Sequence, residues 1–230
     1  MKRSEINQEI KWAIELLDKN NIKLPRFAYW SVVEWRKNKD KVDTIRKVMS
    51  GWDITDYGTG RYREIGCVLF TVRNGNLYDP TVGCPYCEKY LLFKEGQRLP
   101  VHYHILKTED IINRAGGGDM EVTLYNMKPD GTVDPASDVI YYSDGVQEVA
   151  KARVPFIITT GNSITLTPKI FHTFGTKEGT GPLICGEVSK VNDDNTDNYW
   201  AQPTSRFAEI EEDEPILYPL CNELDKILDS

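Results

Sequence analysis

Three histidines are the only imidazoles in this chain of 230 residues, and two of them lie in one short stretch. The stretch GQRLPVHYHILKTEDIINRAG, residues 96–116, contains His102 and His104 and also Glu109. Residues two apart on a strand point to the same face, so VHYHI would direct His102 and His104 the same way. With Glu109 and with His172, from TPKIFHTFG, they would offer three nitrogens and one oxygen to a divalent metal.

This donor set is borderline in character, and zinc, iron, manganese, nickel and copper all accept it. The sequence does not choose among these ions. A bare His-x-His pair is also found as an ordinary surface pair on a strand, where it binds nothing. The spaced carboxylate, the flanking glycines and the absence of any other histidine favour the metal site over that alternative.

Length and composition limit the class of protein. With 230 residues, of which 40% are hydrophobic, the chain can form one large all-β domain or two small ones, and we expect one domain with appendages. A formal charge of −7 without a basic stripe argues against a nucleic-acid partner. No apolar run approaches the roughly 18 residues that span a bilayer, and the N-terminus lacks the apolar segment of a signal peptide. We therefore expect a cytoplasmic protein without a membrane partner.

Five cysteines are scattered along the chain: Cys67, Cys84, Cys87, Cys185 and Cys221. Their odd number and wide spacing predict reduced thiols rather than a disulfide framework. The CPYC pair of Cys84 and Cys87 has a redox spacing, in which a helix N-terminus acidifies the first thiol. Because the following EKYLLFKEG alternates like a strand, we expect a loop with two free thiols, or a labile disulfide, rather than a redox centre.

The first 52 residues predict a helical arm. From Ser4, a plausible N-cap, apolar residues recur at helical spacing until Asn20, which indicates an amphipathic helix. After Pro25, the segments AYWSVVEWRKN and DKVDTIRKVMSG predict two shorter helices, the second ended by Gly51. The aromatic residues between positions 27 and 35 are more typical of packing than of a sugar-stacking platform.

Beyond the arm, short β-rich runs alternate with Gly, Pro, Asn and Asp. Many such runs without interleaved helices indicate an antiparallel sandwich or barrel. The pair Asn74-Gly75 predicts a tight hairpin turn, and the glycines of residues 116–118 predict a loop at the mouth of the barrel. We divide the chain into an arm, residues 1–52, packed on a β-barrel domain with a C-terminal extension, residues 53–230.

The C-terminal stretch is polar and then acidic. Glu211, Glu212, Asp213 and Glu214 form a charge run that is typical of a solvated surface or of an interaction segment. Beyond this run, residues 217–228 predict a short closing helix.

The stretch around the first two histidines resembles the first motif of the cupin superfamily. All the fixed positions of that motif are occupied: Gly96, His102, His104, Glu109 and Gly116. The second cupin motif is matched less closely, with both intervals off by one and Ile170 at its internal glycine, by Gly161, Pro168 and His172. The resemblance implies a mainly β fold, a cupin-type antiparallel β-barrel or jelly roll, with the N-terminal helical arm and a short C-terminal helix added.

More narrowly, HYHILKTEDIINRAGGG, GEVSKVNDDNTDN and RFAEIEEDEP resemble the D-lyxose isomerase family of cupins, and the chain length agrees. This resemblance implies an aldose–ketose isomerase that interconverts D-lyxose and D-xylulose, and also D-mannose and D-fructose. It implies a proton moved between C2 and C1 through an enediolate whose O1 and O2 are held by a divalent metal. Manganese is the preferred ion, with zinc, cobalt, iron or nickel as alternatives. A hydride shift between the same carbons would use the same ligands and stays open.

Two residues are candidates for proton transfer beside the metal ligands. Lys107 and Glu109 point to the same side of an extended segment, and a nearby cation would lower the pKa of the Lys107 ammonium. Glu187 lies among apolar residues of LICGEVSKV, where a carboxylate needs a metal, a cation or a substrate hydroxyl. Weaker candidates, which would bind sugar hydroxyls or merely hold loops, are Asp193, Asp194, Arg206 and Glu211.

Two other classes of function stay open at this point. One is an iron-dependent cupin oxygenase, which would consume oxygen, and the other is a non-catalytic cupin that binds sugar or stores metal. The carboxylate-rich lining that we predict suits a polyol better than an apolar substrate. The helical arm with its aromatic residues makes a two-fold homodimer the expected assembly.

Overall fold

The structure, a computed structural model, describes residues 1–229 and consists mainly of antiparallel strands. Four α-helices are present: α1 (Arg3–Lys19), α2 (Val32–Lys37), α3 (Asp43–Lys47) and α4 (Leu224–Leu228). The strands are β1 (Gly51–Thr55), β2 (Cys67–Gly75), β3 (Gly83–Phe93), β4 (His102–Tyr103), β5 (Glu109–Ala115), β6 (Met120–Met127), β7 (Val133–Asp134), β8 (Val139–Ser143), β9 (Val146–Ala150), β10 (Phe156–Ile158), β11 (Ser163–Leu166), β12 (Phe171–Thr176), β13 (Leu183–Lys190) and β14 (Tyr199–Trp200).

Two sheets form the barrel. The larger has eight strands in the order β1-β2-β3-β13-β5-β11-β8-β9. The smaller has six: five in the order β10-β6-β12-β4-β14, and β7, which pairs with β6. Alternate residues of both sheets point inward into one apolar core, where the rings of Phe93 and Phe174 meet edge to face at 5.9 Å. The predicted mainly β, cupin-type antiparallel barrel, with a helical arm and a short C-terminal helix, is confirmed.

The amphipathic helix α1 covers the outer face of the larger sheet. Its buried stripe includes Ile6, Ile10 and Leu17, which pack with Trp52 and Phe70 of β1 and β2. Burial of such side chains contributes about 1.5–3 kcal/mol each, which ties the arm to the barrel. The predicted α1 helix is confirmed.

The aromatic residues of the arm pack within the chain. Phe27 stacks on Phe70 at 5.5 Å, and Trp35, which is 2% exposed, lies edge to face with Trp30 at 5.2 Å. The preference for packing over sugar stacking is therefore confirmed.

The predicted end of the third helix at Gly51 is wrong, because α3 already ends at Lys47 and Gly51 begins β1.

The acidic C-terminal run binds the start of α1. The buried Arg3 guanidinium forms ion pairs with Glu212, at 2.8 Å, and with Glu223. Asp213 accepts hydrogen bonds from the backbone and the hydroxyl of Ser4. The charge run is thus an interaction segment whose partner is the N-terminal helix of the same chain.

Two predicted turns differ from the structure: the turn at Asn74-Gly75 is not formed there, and the glycine loop does not lie near Glu109. Strand β2 continues through Asn74 to Gly75, which pairs with Gly83, so the connection to β3 is the longer segment of residues 76–82. A side chain at Gly75 would place its Cβ 2.0 Å from the Cys84 carbonyl oxygen, so close strand approach, not a tight turn, requires this glycine. The glycine loop of residues 116–118 follows the end of β5, whereas Glu109 begins that strand, so the loop is remote from Glu109.

No helix within residues 1–229 is long and apolar enough to cross a membrane.

Candidate active site

Four side chains from three strands and one connecting segment converge inside the barrel. His102 on β4 and His172 on β12 are register partners across the smaller sheet, and Glu109 begins β5 of the larger one. The metal-binding atoms of these three residues and of His104 lie within 4.8 Å of one another. None of the four side chains is more than 5% exposed. The structure thus brings together all four predicted metal ligands.

The backbone orients each imidazole. Every Nδ1–H donates to a carbonyl oxygen, so every Nε2 presents its lone pair toward the cluster. The acceptors of His102, His104 and His172 are Pro100 O at 2.9 Å, Asp197 O at 2.6 Å and Ile170 O at 3.0 Å. Burial, followed by the neighbouring imidazoles, lowers the pKa of His102 well below its ordinary value. This keeps the ring neutral, as metal ligation requires.

Two of these nitrogens have no partner. Among the described residues, no group hydrogen-bonds the Nε2 atoms of His104 and His172, although both are buried. A buried polar atom left unpaired costs about 1–3 kcal/mol, and a divalent cation would satisfy both nitrogens. The unpaired nitrogens and the donor set therefore fit a metal ion.

The Glu109 carboxylate joins the imidazoles to a lysine. Its Oε1 lies 3.2 Å from His172 Nε2 and 3.5 Å from His104 Nε2, while its Oε2 lies 2.6 Å from Lys107 Nζ. Burial raises the pKa of Glu109, but the positive charge of the Lys107 ammonium outweighs it and brings the pKa well below the ordinary value. Glu109 is therefore ionised.

Three oxygen atoms hold the Lys107 ammonium. They are Glu109 Oε2 at 2.6 Å, Glu187 Oε1 at 3.0 Å and Asn192 Oδ1 at 3.1 Å. Burial lowers the pKa of Lys107, but the two carboxylates raise it above its ordinary value. The expectation of a lowered lysine pKa assumed a bound cation beside the ammonium, and it stays a prediction for the metal-loaded site. The two predicted catalytic residues, Lys107 and Glu187, are directly hydrogen-bonded.

Asp197 fixes the segment between the second histidine and the lysine. Its carboxylate accepts the backbone N–H groups of Ile105 at 2.8 Å, Leu106 at 3.0 Å and Lys107 at 2.8 Å. Asp197 was not predicted as a site residue, because an aspartate in the polar stretch NDDNTDN is typical of a loop. Nothing in that stretch distinguishes its buried aspartate from exposed ones.

A second buried charge network forms one wall of the cavity. Arg206 binds Asp194 at 2.8 Å and Asp53 at 2.6 Å, and both Arg206 and Asp194 line the cavity that contains the cluster. Burial raises the pKa of Asp194, but Arg206 and then Lys89 lower it well below the ordinary value. The structure thus places two of the predicted sugar-binding residues at the cluster.

The buried Lys89 on β3 was also missed. Its ammonium lines the same cavity and lies 3.8 Å from Glu187 Oε1. A signal was present, since Cys87, Lys89 and Leu91 alternate on one face of the predicted strand and the two flanking residues are apolar.

The other two predicted sugar-binding residues are not at the cluster. Asp193 accepts a hydrogen bond from the backbone of Asn195 at 2.9 Å and lines a neighbouring second cavity. Glu211 is exposed, and its backbone bonds Met1 and Arg3 at the start of α1. Glu211 is the first residue of the acidic run, which binds the start of α1, and it therefore does not reach the site.

The five cysteines are free thiols, as predicted, but CPYC is the beginning of β3 and not a loop. Burial raises the pKa of the Cys87 thiol to about 12, which is the opposite of the acidification that redox motifs need.

Several solved structures that resemble this one are L-ribose isomerases. A mutant L-ribose isomerase of Acinetobacter sp. DL28, in complex with L-ribose, gives a TM-score of 0.59 over 92% of this chain and 98% of its own, at 15% identity. The L-ribose isomerase of Geodermatophilus obscurus gives 0.55 over 92% and 98%, at 18% identity. At these identities the likeness shows the shared fold.

Sequence comparison gives the family. The family model described as D-lyxose isomerase matches residues 1–224. The D-lyxose/D-mannose isomerase of Serratia proteamaculans is 38% identical over 225 residues, 97% of each chain, and that of Escherichia coli O157:H7 is 38% identical over 226 residues, 97% of this chain and 98% of its own. The protein is an aldose–ketose isomerase with a cupin-type barrel. It belongs to the D-lyxose isomerase family.

The Cys87 thiol should resist alkylation. At pH 8 a pKa of about 12 leaves about one thiol in ten thousand ionised, so iodoacetamide should not modify Cys87 in the native protein. Peptide mapping by mass spectrometry, with denatured protein as the control in which all five cysteines react, measures this. Modification of native Cys87 at the rate of a free cysteine, or a Cys84–Cys87 disulfide, would contradict the assignment.

Proposed function

We propose that this protein is a metal-dependent isomerase that interconverts D-lyxose and D-xylulose, and also D-mannose and D-fructose. The observation that carries the proposal is the buried cluster with two unpaired imidazole nitrogens beside the Lys107–Glu187 pair. The names of the curated relatives, which are 38% identical over nearly the whole chain, support these substrates.

The metal would be held by three neutral imidazoles and one ionised carboxylate, from His102, His104, His172 and Glu109. When bound, a divalent cation acts as a Lewis acid toward the adjacent sugar oxygens. Manganese is our first choice because the family resemblance favours it, and the same donors accept zinc, cobalt, iron and nickel.

Lys107 and Glu187 would move the proton. The lysine ammonium, which is held by three oxygen atoms, can donate a proton to O1 of the aldose as that oxygen becomes negative, and the resulting amine then takes the proton of the O2 hydroxyl, which restores the ammonium. Glu187 uses Oε1 for its contacts with Lys107, Lys89 and Ser189, while within residues 1–229 its Oε2 makes no hydrogen bond. We assign Oε2 as the base that takes the proton from C2 and returns it to C1.

The charged wall would bind the sugar hydroxyls. Arg206, Asp194 and Lys89 line the same cavity as the imidazoles and offer both donors and acceptors. Because Asp53 and Asp194 hold the guanidinium between them, Arg206 is fixed before substrate arrives. Asp193 and Glu211, which do not line the cavity around the cluster, are not assigned to the binding of sugar hydroxyls.

The two alternative functions, an oxygenase and a binding module, fit the residues of the site less well than an isomerase does. An apolar substrate of an oxygenase would have to lie against several buried charges, and a pure binding module would have no use for a paired acid and base. The expected homodimer and cytoplasmic location stay predictions. The aromatic residues that suggested the dimer pack inside the chain and no longer support it.

Removal of the metal should abolish activity. We expect that metal-stripped protein does not convert D-lyxose, that Mn²⁺ restores ketose formation, and that His104→Ala lowers kcat by more than about 100-fold at any Mn²⁺ concentration. Ketose release and bound metal per chain are the measurements. Glu211→Ala, an exposed acidic residue outside the site, is the matched control and should behave like the unaltered protein. Full activity of stripped protein in the presence of chelator would refute metal dependence.

Replacement of the lysine should separate chemistry from binding. Lys107→Met removes the proton donor, so we expect kcat for D-lyxose to fall by about a thousandfold while one metal ion per chain is retained. The exposed Lys11→Met on α1 is the control for loss of a lysine. Turnover within about threefold of the unaltered protein would exclude Lys107 as the acid.

A further inference from the structure

One irregular segment forms much of the wall of the cavity around the cluster. This wall segment, residues 191–206, follows β13 and contains no helix and no strand except the two-residue β14. Five of its residues line the cavity: Asn192, Asp194, Asn198, Trp200 and Arg206. The position of these side chains therefore depends on the contacts that hold the wall segment in place.

Asp197 ties the wall segment to the cluster. The residue is 4% exposed, and its backbone carbonyl oxygen accepts a hydrogen bond from His104 Nδ1 at 2.6 Å. Its carboxylate accepts the backbone N–H groups of residues 105–107, which join His104 to the lysine. One residue of the wall segment thus holds both a proposed metal ligand and the backbone of Lys107.

A second contact reaches another imidazole of the cluster. Trp200 on β14 is the register partner of His102 on β4, and the centroids of the two rings lie 5.2 Å apart. The neighbouring register pair, Tyr199 and Tyr103, stacks at 5.1 Å. The wall segment therefore contacts two of the three imidazoles that would hold the ion.

These contacts make the wall segment sensitive to the ion. A cation bound to His104 Nε2 fixes the ring with its Nδ1–H toward the Asp197 carbonyl. Without a cation this Nε2 is a buried, unpaired acceptor, and it gains a partner if the ring turns or if Nε2 carries the proton toward Glu109 Oε1, 3.5 Å away. Either change removes the hydrogen bond to Asp197. The ion thus favours the arrangement in which the wall segment is held.

We propose that Asp197 is a positioning residue that couples metal binding to the order of the wall segment. The ion binds first and holds the wall segment in place, and the completed wall, with Asp194 and Arg206, then receives the sugar. Because such coupling is reciprocal, the contacts of Asp197 also strengthen metal binding. This inference rests on the proposed function, because it takes the ion at the cluster from it.

Hydrogen exchange of metal-stripped protein, measured by mass spectrometry with and without Mn²⁺, tests the coupling. We expect Mn²⁺ to slow exchange about tenfold in peptides that cover residues 105–107 and 191–200. The internal control is the backbone N–H of Ser163, which donates to another aspartate, Asp144, at 2.9 Å. Ser163 lies at the end of β11 away from Glu109, so its exchange should change by less than about twofold.

Asp197→Asn tests the residue itself. The variant keeps the size and the backbone carbonyl, but its amide N–H₂ faces one of the backbone N–H donors that the carboxylate accepts in the unaltered protein. We expect the Mn²⁺ affinity measured by calorimetry to fall about tenfold, and the protection of residues 191–200 by Mn²⁺ to be lost. Asp144→Asn is the matched control. Asp144 holds Ser163 through one oxygen, which asparagine retains, so the Mn²⁺ affinity should stay within about twofold.

The possible results separate this inference from the proposed function. If Mn²⁺ binds at the cluster but exchange at residues 105–107 and 191–200 does not change, or slows equally at Ser163, the coupling is wrong and the isomerase stands. If Asp197→Asn binds Mn²⁺ with unaltered affinity, Asp197 is not the coupling residue and the proposal also fails. If the unaltered protein does not bind Mn²⁺, the metal site of the proposed function fails, and this inference fails with it.

Discussion

The two oxygens of the Glu109 carboxylate have different partners, and the rest of the site depends on this arrangement. One oxygen faces the imidazoles at 3.2 and 3.5 Å, and the other holds Lys107 at 2.6 Å. Since both contacts belong to one buried carboxylate, the metal ligands and the proposed acid cannot move independently. A cation at the cluster and a protonated lysine share the same negative charge, which keeps both charges stable inside the barrel.

Segments outside the main sheets position Lys107 and Arg206. Asp197 holds the backbone before Lys107, and Asp194 holds Arg206, both from the connection after β13. Arg206 belongs to the C-terminal extension, which continues into the acidic run bound by Arg3. Unpaired buried charges are costly, so each of these ion pairs links a peripheral segment to the site. The arm and the extension therefore contribute to the site by fixing its outer wall.

The fold and three of the four proposed metal ligands could be predicted because their signals are local, and His172 could be added because the chain has no other histidine. Periodicity marks α1 and the strands, and His102, His104 and Glu109 lie within eight consecutive residues. Lys89 and Asp197 could not be predicted with equal ease, because their burial depends on partners distant in sequence. The Asn74-Gly75 turn failed for a related reason: the Asn74 amide donates to the carbonyls of Val48 and Asn192, which propensity alone does not reveal. The two carboxylates from separate strands that raise the pKa of Lys107 could not be predicted either, because strand pairing brings Glu187 to the lysine.

Calorimetric titration of metal-stripped protein with Mn²⁺ is the measurement that we would make, because the other roles presuppose an ion at the cluster. We expect one ion per chain, and we expect His172→Ala, which removes the ligand on β12, to weaken binding by more than about 100-fold. Binding of one ion with unchanged affinity in His172→Ala would place the metal elsewhere. It would contradict the four-ligand site.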